Sequence, residues 1–73
     1  MAQTIYLTKY KVLIHKLRKA RCDSFLTQVE AAQKLKKPQS YISKIELGER
    51  RIDVAELSLL AKIYKKPLTF FVN

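Results

Sequence analysis

Residues 35–51, LKKPQSYISKIELGERR, hold the densest collection of side chains that can donate hydrogen bonds outward. Lysines and arginines flank a hydroxyl and amide cluster, Gln39-Ser40-Tyr41, and apolar residues recur between them at helical spacing. A charge run by itself usually marks a solvated face, but this one surrounds small polar groups that form directed hydrogen bonds. The stretch therefore indicates a binding surface, and the question is what it contacts.

The overall charge points to an anionic partner. Fifteen Lys and Arg against six Asp and Glu give a formal net charge of +9 and a pI near 9.9. On so small a domain this is a strong field that attracts polyanions, and nucleic acid is the leading class of partner. A small basic protein with no nucleic-acid partner is the alternative that charge alone leaves open.

The residues that could support catalysis or bind a metal are few. His15 falls on the basic face of a predicted helix, where we expect a surface residue and not a general base. Cys22 is expected to pack as a small apolar group, and a single cysteine forms no intramolecular disulfide. One histidine and one cysteine do not complete a zinc ligand set. We therefore predict no enzymatic activity, no metal and no cofactor.

The chain length and hydropathy bound the organisation of the protein. At 73 residues the chain fits one domain spanning residues 1–73, near the lower size limit for folding without a disulfide or metal. Neither a signal peptide nor an apolar run of about 18 residues is evident, and the cysteine usage fits a reducing compartment. We expect a cytoplasmic protein with no membrane association. A basic amphipathic first helix lying on a membrane is the weaker alternative.

The first amphipathic pattern starts near Thr8. We predict helix 1 over about residues 8–24 and a loosely ordered N-terminal arm over residues 1–7, which show no clear period. The apolar stripe of this helix consists of Tyr10, Leu13, Ile14 and Leu17.

Helices 2 and 3 are separated by only two or three residues. Thr27 and Glu30 form a capping box that starts helix 2. Pro38 fits the start of helix 3, because its missing N–H is no loss in a first turn. Helix 3 covers about residues 39–47, and Gly48 is expected to end it in a left-handed conformation. The inward positions of the two helices are Val29, Ala31, Ala32, Leu35, Ile42 and Ile45.

A second N-terminal pair, Asp53 and Glu56, predicts helix 4 over about residues 54–64. The last segment, residues 68–72, is too short for its period to distinguish a helical turn from a strand, and the helical pattern before it favours a short fifth helix. The fold class is therefore all-α, a compact bundle of four to five short helices. The inward stripe of helix 4 is Leu57, Leu60, Ala61 and Tyr64.

A short helix, a tight turn and a second helix with an exposed Gln, Ser and Lys face are typical of a helix-turn-helix that reads DNA. From Leu13 to Val72 the chain resembles the lambda-repressor-like family, also called the XRE or Cro family of transcriptional regulators. The matching motifs are L-R-K-A-R at 17–21, L-T-Q-V-E-A-A-Q-K-L at 26–35, P-Q-S-Y-I-S-K-I-E-L-G-E-R-R at 38–51 and L-S-L-L-A-K-I at 57–63. The resemblance implies a single helix-turn-helix DNA-binding domain of prokaryotic or phage origin.

The resemblance places helix 3 in the major groove, where Gln39, Ser40, Ser43 and Lys44 would face base edges. The chemistry agrees, because Gln pairs bidentately with adenine N6 and N7, Lys donates to guanine O6 and N7, and Ser serves either base. Plain solvent exposure is the alternative for Ser40 and Ser43.

The same resemblance assigns other residues to the phosphate backbone. Gln28 would hold a phosphate at the N-terminus of helix 2, and Lys37, Arg50 and Arg51 flank the reading helix. Tyr41 could contact a phosphate or a thymine methyl group. These contacts would position the protein on the duplex without reading its sequence.

Arg21 and Glu46 are expected to form an internal ion pair between helices 1 and 3, as the resemblance implies. We interpret both residues as architecture. Removing one partner of a partly buried pair leaves the other charge unpaired and costs about 3 kcal/mol.

Four residues depart from the family pattern. Phe25 and Lys36 stand where glycine is usual, and a left-handed backbone at either residue costs on the order of 1 kcal/mol. Ala31 replaces a bulky residue of helix 2, and we expect the Phe25 ring to fill that volume, so that Phe25→Ala would cost about 3 kcal/mol. Leu47 stands where many relatives carry a polar phosphate contact.

The predicted function is sequence-specific binding of double-stranded DNA by a transcriptional regulator, in which a homodimer sets two copies of helix 3 into successive major grooves. Repression is the common outcome in the family, and activation, as in controller proteins of restriction-modification systems, is also compatible. The alternative is a protein-interaction module, such as an antitoxin-like protein, for which DNA binding is secondary. Phe70 and Val72 are the dimer candidates, whereas Leu68 and Phe71 are expected to close the core. No small-molecule ligand is expected, because so short a chain has no separate ligand domain.

Overall fold

The fold consists of five helices within residues 2–72, and no strand occurs in this part of the chain. The computed structural model describes the backbone of residues 2–72 and the side chains of residues 9–72. The predicted all-α class is confirmed. None of the helices in the described residues combines the length and the hydropathy that a membrane span requires. The helices are α1 (Ala2–Asp23), α2 (Gln28–Leu35), α3 (Gln39–Glu46), α4 (Val54–Ile63) and α5 (Thr69–Val72).

The longest helix, α1, spans most of the long dimension of the molecule. Its 22 residues correspond to about 33 Å at the α-helical rise of about 1.5 Å per residue, and the overall extents are 38 × 24 × 20 Å. The helix begins at Ala2 and not near residue 8, so it includes residues 2–7, which were expected to form an N-terminal arm. Once a helix is nucleated, each further residue adds a backbone hydrogen bond, so a helix can extend past its amphipathic region.

The helices of the central pair, α2 and α3, begin and end as predicted. The Glu30 N–H donates to the Thr27 hydroxyl at 3.1 Å, and the Thr27 N–H donates to the Glu30 carboxylate at 2.9 Å. Lys36 ends α2 in the left-handed region, with φ 58°. Pro38 occupies the N-cap of α3, and Gly48 follows that helix with φ 77°. The turn between the helices therefore keeps its left-handed residue although lysine replaces glycine.

The second capping box starts α4 in the same way. The Glu56 N–H donates to Asp53 Oδ1 at 2.7 Å, and the Asp53 N–H donates to Glu56 Oε1 at 3.0 Å. After α4, Lys65 is left-handed with φ 57°, and the chain turns there toward α5.

The hydrophobic core receives side chains from all five helices. The buried residues follow the inward stripes expected for helices 1, 3 and 4, and no polar or charged side chain of the described residues is fully buried. The core therefore depends on apolar packing, which we expected because a single cysteine cannot form an intramolecular disulfide. Its buried residues are Leu17, Ala20, Ala31, Ala32, Ile42, Ile45, Leu57, Leu60, Ala61, Tyr64 and Phe71.

The expectation that the Phe25 ring fills space beside Ala31 was wrong. Phe25 is 91% exposed, whereas Ala31 is fully buried. The backbone of Phe25 is left-handed, with φ 59°, and this turn geometry directs the ring into solvent. Because Ala31 and Ala32 are both buried, the neighbouring elements approach α2 closely and leave no space for a ring.

Three smaller expectations about burial also need correction. Val29 is 46% exposed, because it lies in the first turn of α2. Cys22 is exposed, because it is two residues, or about 200°, around α1 from buried Ala20. Leu68, which precedes α5, is 39% exposed, and Phe70 joins the buried Phe71 in covering the core instead.

Candidate nucleic-acid interface

The helix-turn-helix unit is formed by α2 and α3, which residues 36–38 connect. The Lys36 N–H donates to the Gln33 carbonyl at 3.1 Å, and the Lys37 N–H donates to the Ala32 carbonyl at 2.9 Å. These bonds satisfy carbonyls in the last turn of α2, which would otherwise lack partners. The turn is therefore compact and holds α3 at a fixed angle to α2.

The four residues predicted to read bases lie on one side of α3. Gln39, Ser40 and Lys44 are exposed, and Ser43 is half-buried. At about 100° per residue, positions 39, 40, 43 and 44 fall within an arc of about 140°. The hydroxyls of Ser40 and Ser43 and the ammonium of Lys44 form no hydrogen bond or ion pair among the described residues. The structure thus brings together donors that are available to a ligand.

Gln39 is held by a chain of hydrogen bonds that leads into the protein. Its Nε2 donates to Gln28 Oε1 at 3.3 Å, and Gln28 Nε2 donates to Glu46 Oε1 at 3.1 Å. Gln28 is the first residue of α2, so its side chain joins the N-terminus of α2 to both ends of α3. This linkage limits the rotamers of Gln39 and leaves its amide oxygen and second N–H available.

The predicted ion pair between Arg21 and Glu46 is present and connects α1 to α3. Arg21 Nε lies 2.7 Å from Glu46 Oε2, and Arg21 Nη2 lies 3.1 Å from Glu46 Oε1. The side chains are 12% and 6% exposed, and Arg21 Nη1 also donates to the Leu26 carbonyl at 2.9 Å. The hydrogen bonds to Glu46 raise the pKa of Arg21 further above its ordinary value. This bidentate ion pair orients the Glu46 carboxylate, which accepts the hydrogen bond from Gln28 and so supports the series of bonds that leads to Gln39.

A second polar cluster joins α3 to α4 through Glu56. The Tyr41 hydroxyl donates to Glu56 Oε2 at 2.5 Å, and Arg50 Nη2 donates to the same oxygen at 2.6 Å. The Tyr41 hydroxyl bond, the Asp53 backbone N–H and Arg50 together lower the pKa of Glu56 to about 2. Burial, followed by the bond to Glu56, raises the pKa of Tyr41 above its ordinary value. The hydroxyl that was predicted to contact a phosphate is therefore engaged within the protein.

Two cationic side chains lie over the Tyr41 ring. The Arg50 guanidinium carbon is 4.8 Å from the ring centroid, and Lys37 Nζ is 5.6 Å from it. Both distances lie within the range of cation–π attraction. Three of the predicted phosphate-binding residues therefore lie together beside the N-terminus of α3, with Lys37 and Arg50 both over the Tyr41 ring.

The third cationic candidate, Arg51, contacts α1. Its guanidinium carbon lies 5.9 Å from the centroid of the Tyr10 ring, and the Tyr10 hydroxyl donates to the Arg50 carbonyl at 2.9 Å. Both arginines remain exposed. Tyr10 and Glu56 contact these basic residues, and the sequence reasoning gave neither that role. The sequence pattern predicts a core stripe for Tyr10 and a helix cap for Glu56.

Leu47, at the C-cap of α3, is 68% exposed. An exposed leucine replaces the polar group that would donate to a phosphate. Its side chain offers apolar surface at the end of the reading helix, and Val54, at the start of α4, is 73% exposed as well.

The two dimer candidates differ in exposure. Phe70 is half-buried, packs edge to face on Phe71 with centroids 5.1 Å apart, and lies under Lys66 Nζ at 4.9 Å. Val72 is 61% exposed, and Leu68 exposes 39% of its surface in the preceding connection. The apolar surface at this end of the molecule therefore comes from Val72 and Leu68 more than from Phe70.

A cavity lies away from α3, and the described residues form no cluster of metal ligands. A cavity of about 410 Å³ lies between the α1–α2 turn and the α4–α5 turn, beside Phe25, and contains none of the predicted DNA contacts. No group of three His, Cys, Asp or Glu residues in the described part of the chain could hold a metal ion. His15 and Cys22 are both exposed on α1.

Comparison with known families agrees with this geometry. A model of the helix-turn-helix family matches residues 17–71, which is well over half of the chain. The match runs from the buried part of α1 to α5 and includes both helices of the candidate interface. The resemblance to lambda-repressor-like regulators seen in the sequence motifs is confirmed. A search of curated proteins finds no match to the chain.

Proposed function

This chain belongs to the helix-turn-helix family and is, in general terms, a DNA-binding transcription regulator. From that premise we propose that it recognises a specific sequence in double-stranded DNA and represses transcription. The observation that carries the proposal is the preorganised face of α3. Gln39 is linked by hydrogen bonds through Gln28 to the partly buried Arg21 and Glu46 pair, while Ser40, Ser43 and Lys44 remain available beside it.

The chemistry of α3 suits the major groove. Gln39 retains an oxygen and an N–H for bidentate contact with adenine, and Lys44 donates to guanine O6 or N7. Because Gln39 already occupies a restricted rotamer, binding costs less side-chain entropy than it would for a mobile amide. Ser40 and Ser43 lie between these two and can bond either base type.

The residues around α3 suit phosphate contact. Lys37 and Arg50 lie together over the Tyr41 ring and Arg51 lies over the Tyr10 ring, so exposed positive charge adjoins the reading helix. The first turn of α2 adds free backbone N–H groups beside Gln28, where a helix N-terminus attracts an anion. Such contacts set the register of the protein on the duplex and depend strongly on salt.

A homodimer would double this surface. Two copies of α3 would enter successive major grooves about 10 base pairs apart. Val72 and Leu68 offer exposed apolar area for such a contact, with Phe70 at its edge. Bound across a promoter, the dimer would block polymerase.

A second candidate function is binding of a protein partner, as in an antitoxin. The observation that favours it is apolar surface away from α3, where Phe25 is 91% exposed and Val72 is 61% exposed. A partner that covers these side chains would remove apolar area from water. In that case α3 would bind DNA without a strong sequence preference.

Selection from a random duplex library, followed by footprinting at two salt concentrations, separates the two functions. DNA reading predicts a palindromic motif whose affinity falls by about 1 to 3 kcal/mol in Gln39→Ala and in Lys44→Ala. Gln33→Ala and Lys62→Ala are matched controls, because both residues are exposed and lie outside the proposed contacts. Recovery of no motif, with binding that disappears at moderate salt, would leave only non-specific attraction and favour the protein partner.

A further inference from the structure

Backbone hydrogen bonds hold the loop that follows the reading helix through its first three residues, beginning with the Gly48 N–H, which donates to the Ile45 carbonyl at 3.1 Å. Residues 48–51 carry Arg50 and Arg51, and the N–H groups of Glu49 and Arg50 both donate to the single carbonyl of Lys44, at 2.9 and 3.2 Å. Gly48 turns the chain with φ 77°. Because the Glu49 and Arg50 N–H groups share the Lys44 carbonyl, these bonds attach the loop to α3 at a single point. Other elements must then set the direction in which the loop runs.

Helix α1 supplies that support through Tyr10 and Ile14, which lie one helical turn apart. A Cβ atom placed on Gly48 would lie 3.3 Å from Ile14 Cδ1, so the loop already runs close against α1. Further out, the Tyr10 hydroxyl donates to the Arg50 carbonyl at 2.9 Å, and the Arg51 guanidinium lies over the Tyr10 ring. One side chain thus contacts the backbone of one arginine and the head group of the next.

We propose that Tyr10 is a positioning residue for DNA binding, which holds the loop so that Arg50 and Arg51 meet the phosphate backbone. This inference rests on the proposed function. Tyr10 lies outside the segment that matches the helix-turn-helix family, which starts at residue 17. The part of α1 that precedes the family domain therefore belongs to the DNA-binding unit.

The two contacts of Tyr10 have different effects. The hydroxyl bond fixes the peptide between Arg50 and Arg51, which sets where both side chains leave the loop. The ring restricts the Arg51 guanidinium by cation–π attraction while the side chain stays exposed to a ligand. Arg50 is restrained separately by Glu56 and the Tyr41 ring. Loss of Tyr10 therefore affects Arg51 more than Arg50.

A positioning role differs from simple packing in what it predicts. The Tyr10 hydroxyl bond is exposed, so water can replace it with little change in the global stability of the fold. Without the Tyr10 hydroxyl, the loop loses the hydrogen bond that holds the Arg50 carbonyl to α1. Local opening of the loop and DNA affinity should therefore change while the melting temperature does not.

The experiment uses the full chain with Tyr10→Phe, which removes only the hydroxyl, and Tyr10→Leu, which also removes the aromatic ring. Val12→Ala is the control, because Val12 is half exposed on another side of α1. Amide hydrogen exchange is measured by NMR at Glu49 and Arg50, together with duplex affinity at several salt concentrations. We expect loop exchange about two- to tenfold faster in Tyr10→Phe, the range for one neutral hydrogen bond. We expect Tyr10→Leu to reduce the magnitude of the slope of log affinity against log salt by about 0.9, which corresponds to the loss of one phosphate contact.

Two results would overturn the proposal. Unchanged exchange at Glu49 and Arg50 in both variants would show that Tyr10 does not hold the loop. Faster exchange at core amides such as Leu60, in step with a lower melting temperature, would show a purely structural role. If the wild-type chain binds no preferred duplex, the proposed function fails, but the exchange data still decide whether Tyr10 positions the loop.

Discussion

The prediction that depends most on the internal architecture is the effect of removing Glu46. Its carboxylate is 6% exposed and accepts hydrogen bonds from Arg21 Nε, Arg21 Nη2 and Gln28 Nε2, at 2.7, 3.1 and 3.1 Å. Glu46→Ala leaves the guanidinium of Arg21, which is 12% exposed, without its charged partner. The substitution also removes the acceptor that orients Gln28 and, through it, Gln39.

The magnitude follows from the burial of the pair. Breaking a buried ion pair from one side costs about 3 to 5 kcal/mol, and a domain of this length has a total stability of about 4 to 11 kcal/mol. Glu46→Ala should therefore remove about a quarter or more of the free energy of unfolding. Glu46→Gln keeps the shape and one acceptor but loses the charge, so we expect a loss of about 2 kcal/mol. Replacing Arg21 and Glu46 together by Met removes both charges and should stay within about 1 kcal/mol of the wild type.

Urea unfolding followed by far-UV circular dichroism measures all four proteins, provided that their m-values agree. The expected order of stability places Glu46→Ala lowest, Glu46→Gln above it, and the double Met variant near the wild type. A loss below about 0.5 kcal/mol in Glu46→Ala would show that the pair does not anchor the helices. A double variant as unstable as Glu46→Ala would show that the loss comes from removal of the pair itself and not from an unpaired charge on Arg21.

Four further predictions concern the turn after α1 and the cluster around Glu56. Phe25→Gly should raise the free energy of unfolding by up to about 1.5 kcal/mol, because relief of about 1 to 2 kcal/mol of left-handed strain offsets the greater unfolded-state entropy of glycine, about 0.4 to 1 kcal/mol. Phe25→Ala should change it by less than about 0.5 kcal/mol in denaturant melts, and a loss near 3 kcal/mol would restore the packing role that the exposed ring contradicts. The pKa of Glu56 falls from 4.5 to about 2 on folding, so the unfolded chain takes up the proton first as pH drops. The stabilisation from Glu56 is therefore complete above about pH 4.5 and is lost toward pH 2, and unfolding across this window should show a flatter pH dependence in Glu56→Gln. Arg50→Ala should weaken binding to all duplexes alike and lower the salt slope by about one unit, whereas a change in sequence preference would assign Arg50 a base contact.

The helix boundaries were predictable where the signal is local. The Thr27 and Glu30 box and the Asp53 and Glu56 box each lie within one turn of chain, and both form as the sequence indicated. Gly48 ends α3 in the left-handed region for the same reason. The start of α1 was missed because residues 2–7 continue a helix without an amphipathic period.

Contacts between distant elements were less predictable. Arg21 and Glu46 are 25 residues apart, and their pairing was expected only from the family resemblance. The bond of Tyr10 to Arg50 joins residues 40 apart and depends on how α1 lies along the loop, which no sequence period reports. The exposure of Phe25 was not predictable from side-chain volume, because a positive φ sets the direction in which its side chain leaves the turn.

In the proposed function, α3 reads bases through Gln39 while the residues beside it bind phosphates. The most direct test is to repeat the random-duplex selection with Gln39→Ala and with Arg51→Ala and to compare the motifs with that of the wild type. We expect Gln39→Ala to lose the preference for adenine at one position in each half-site and to keep the remaining positions, and Arg51→Ala to keep the whole motif at lower affinity. An unchanged motif in Gln39→Ala would contradict base reading by Gln39.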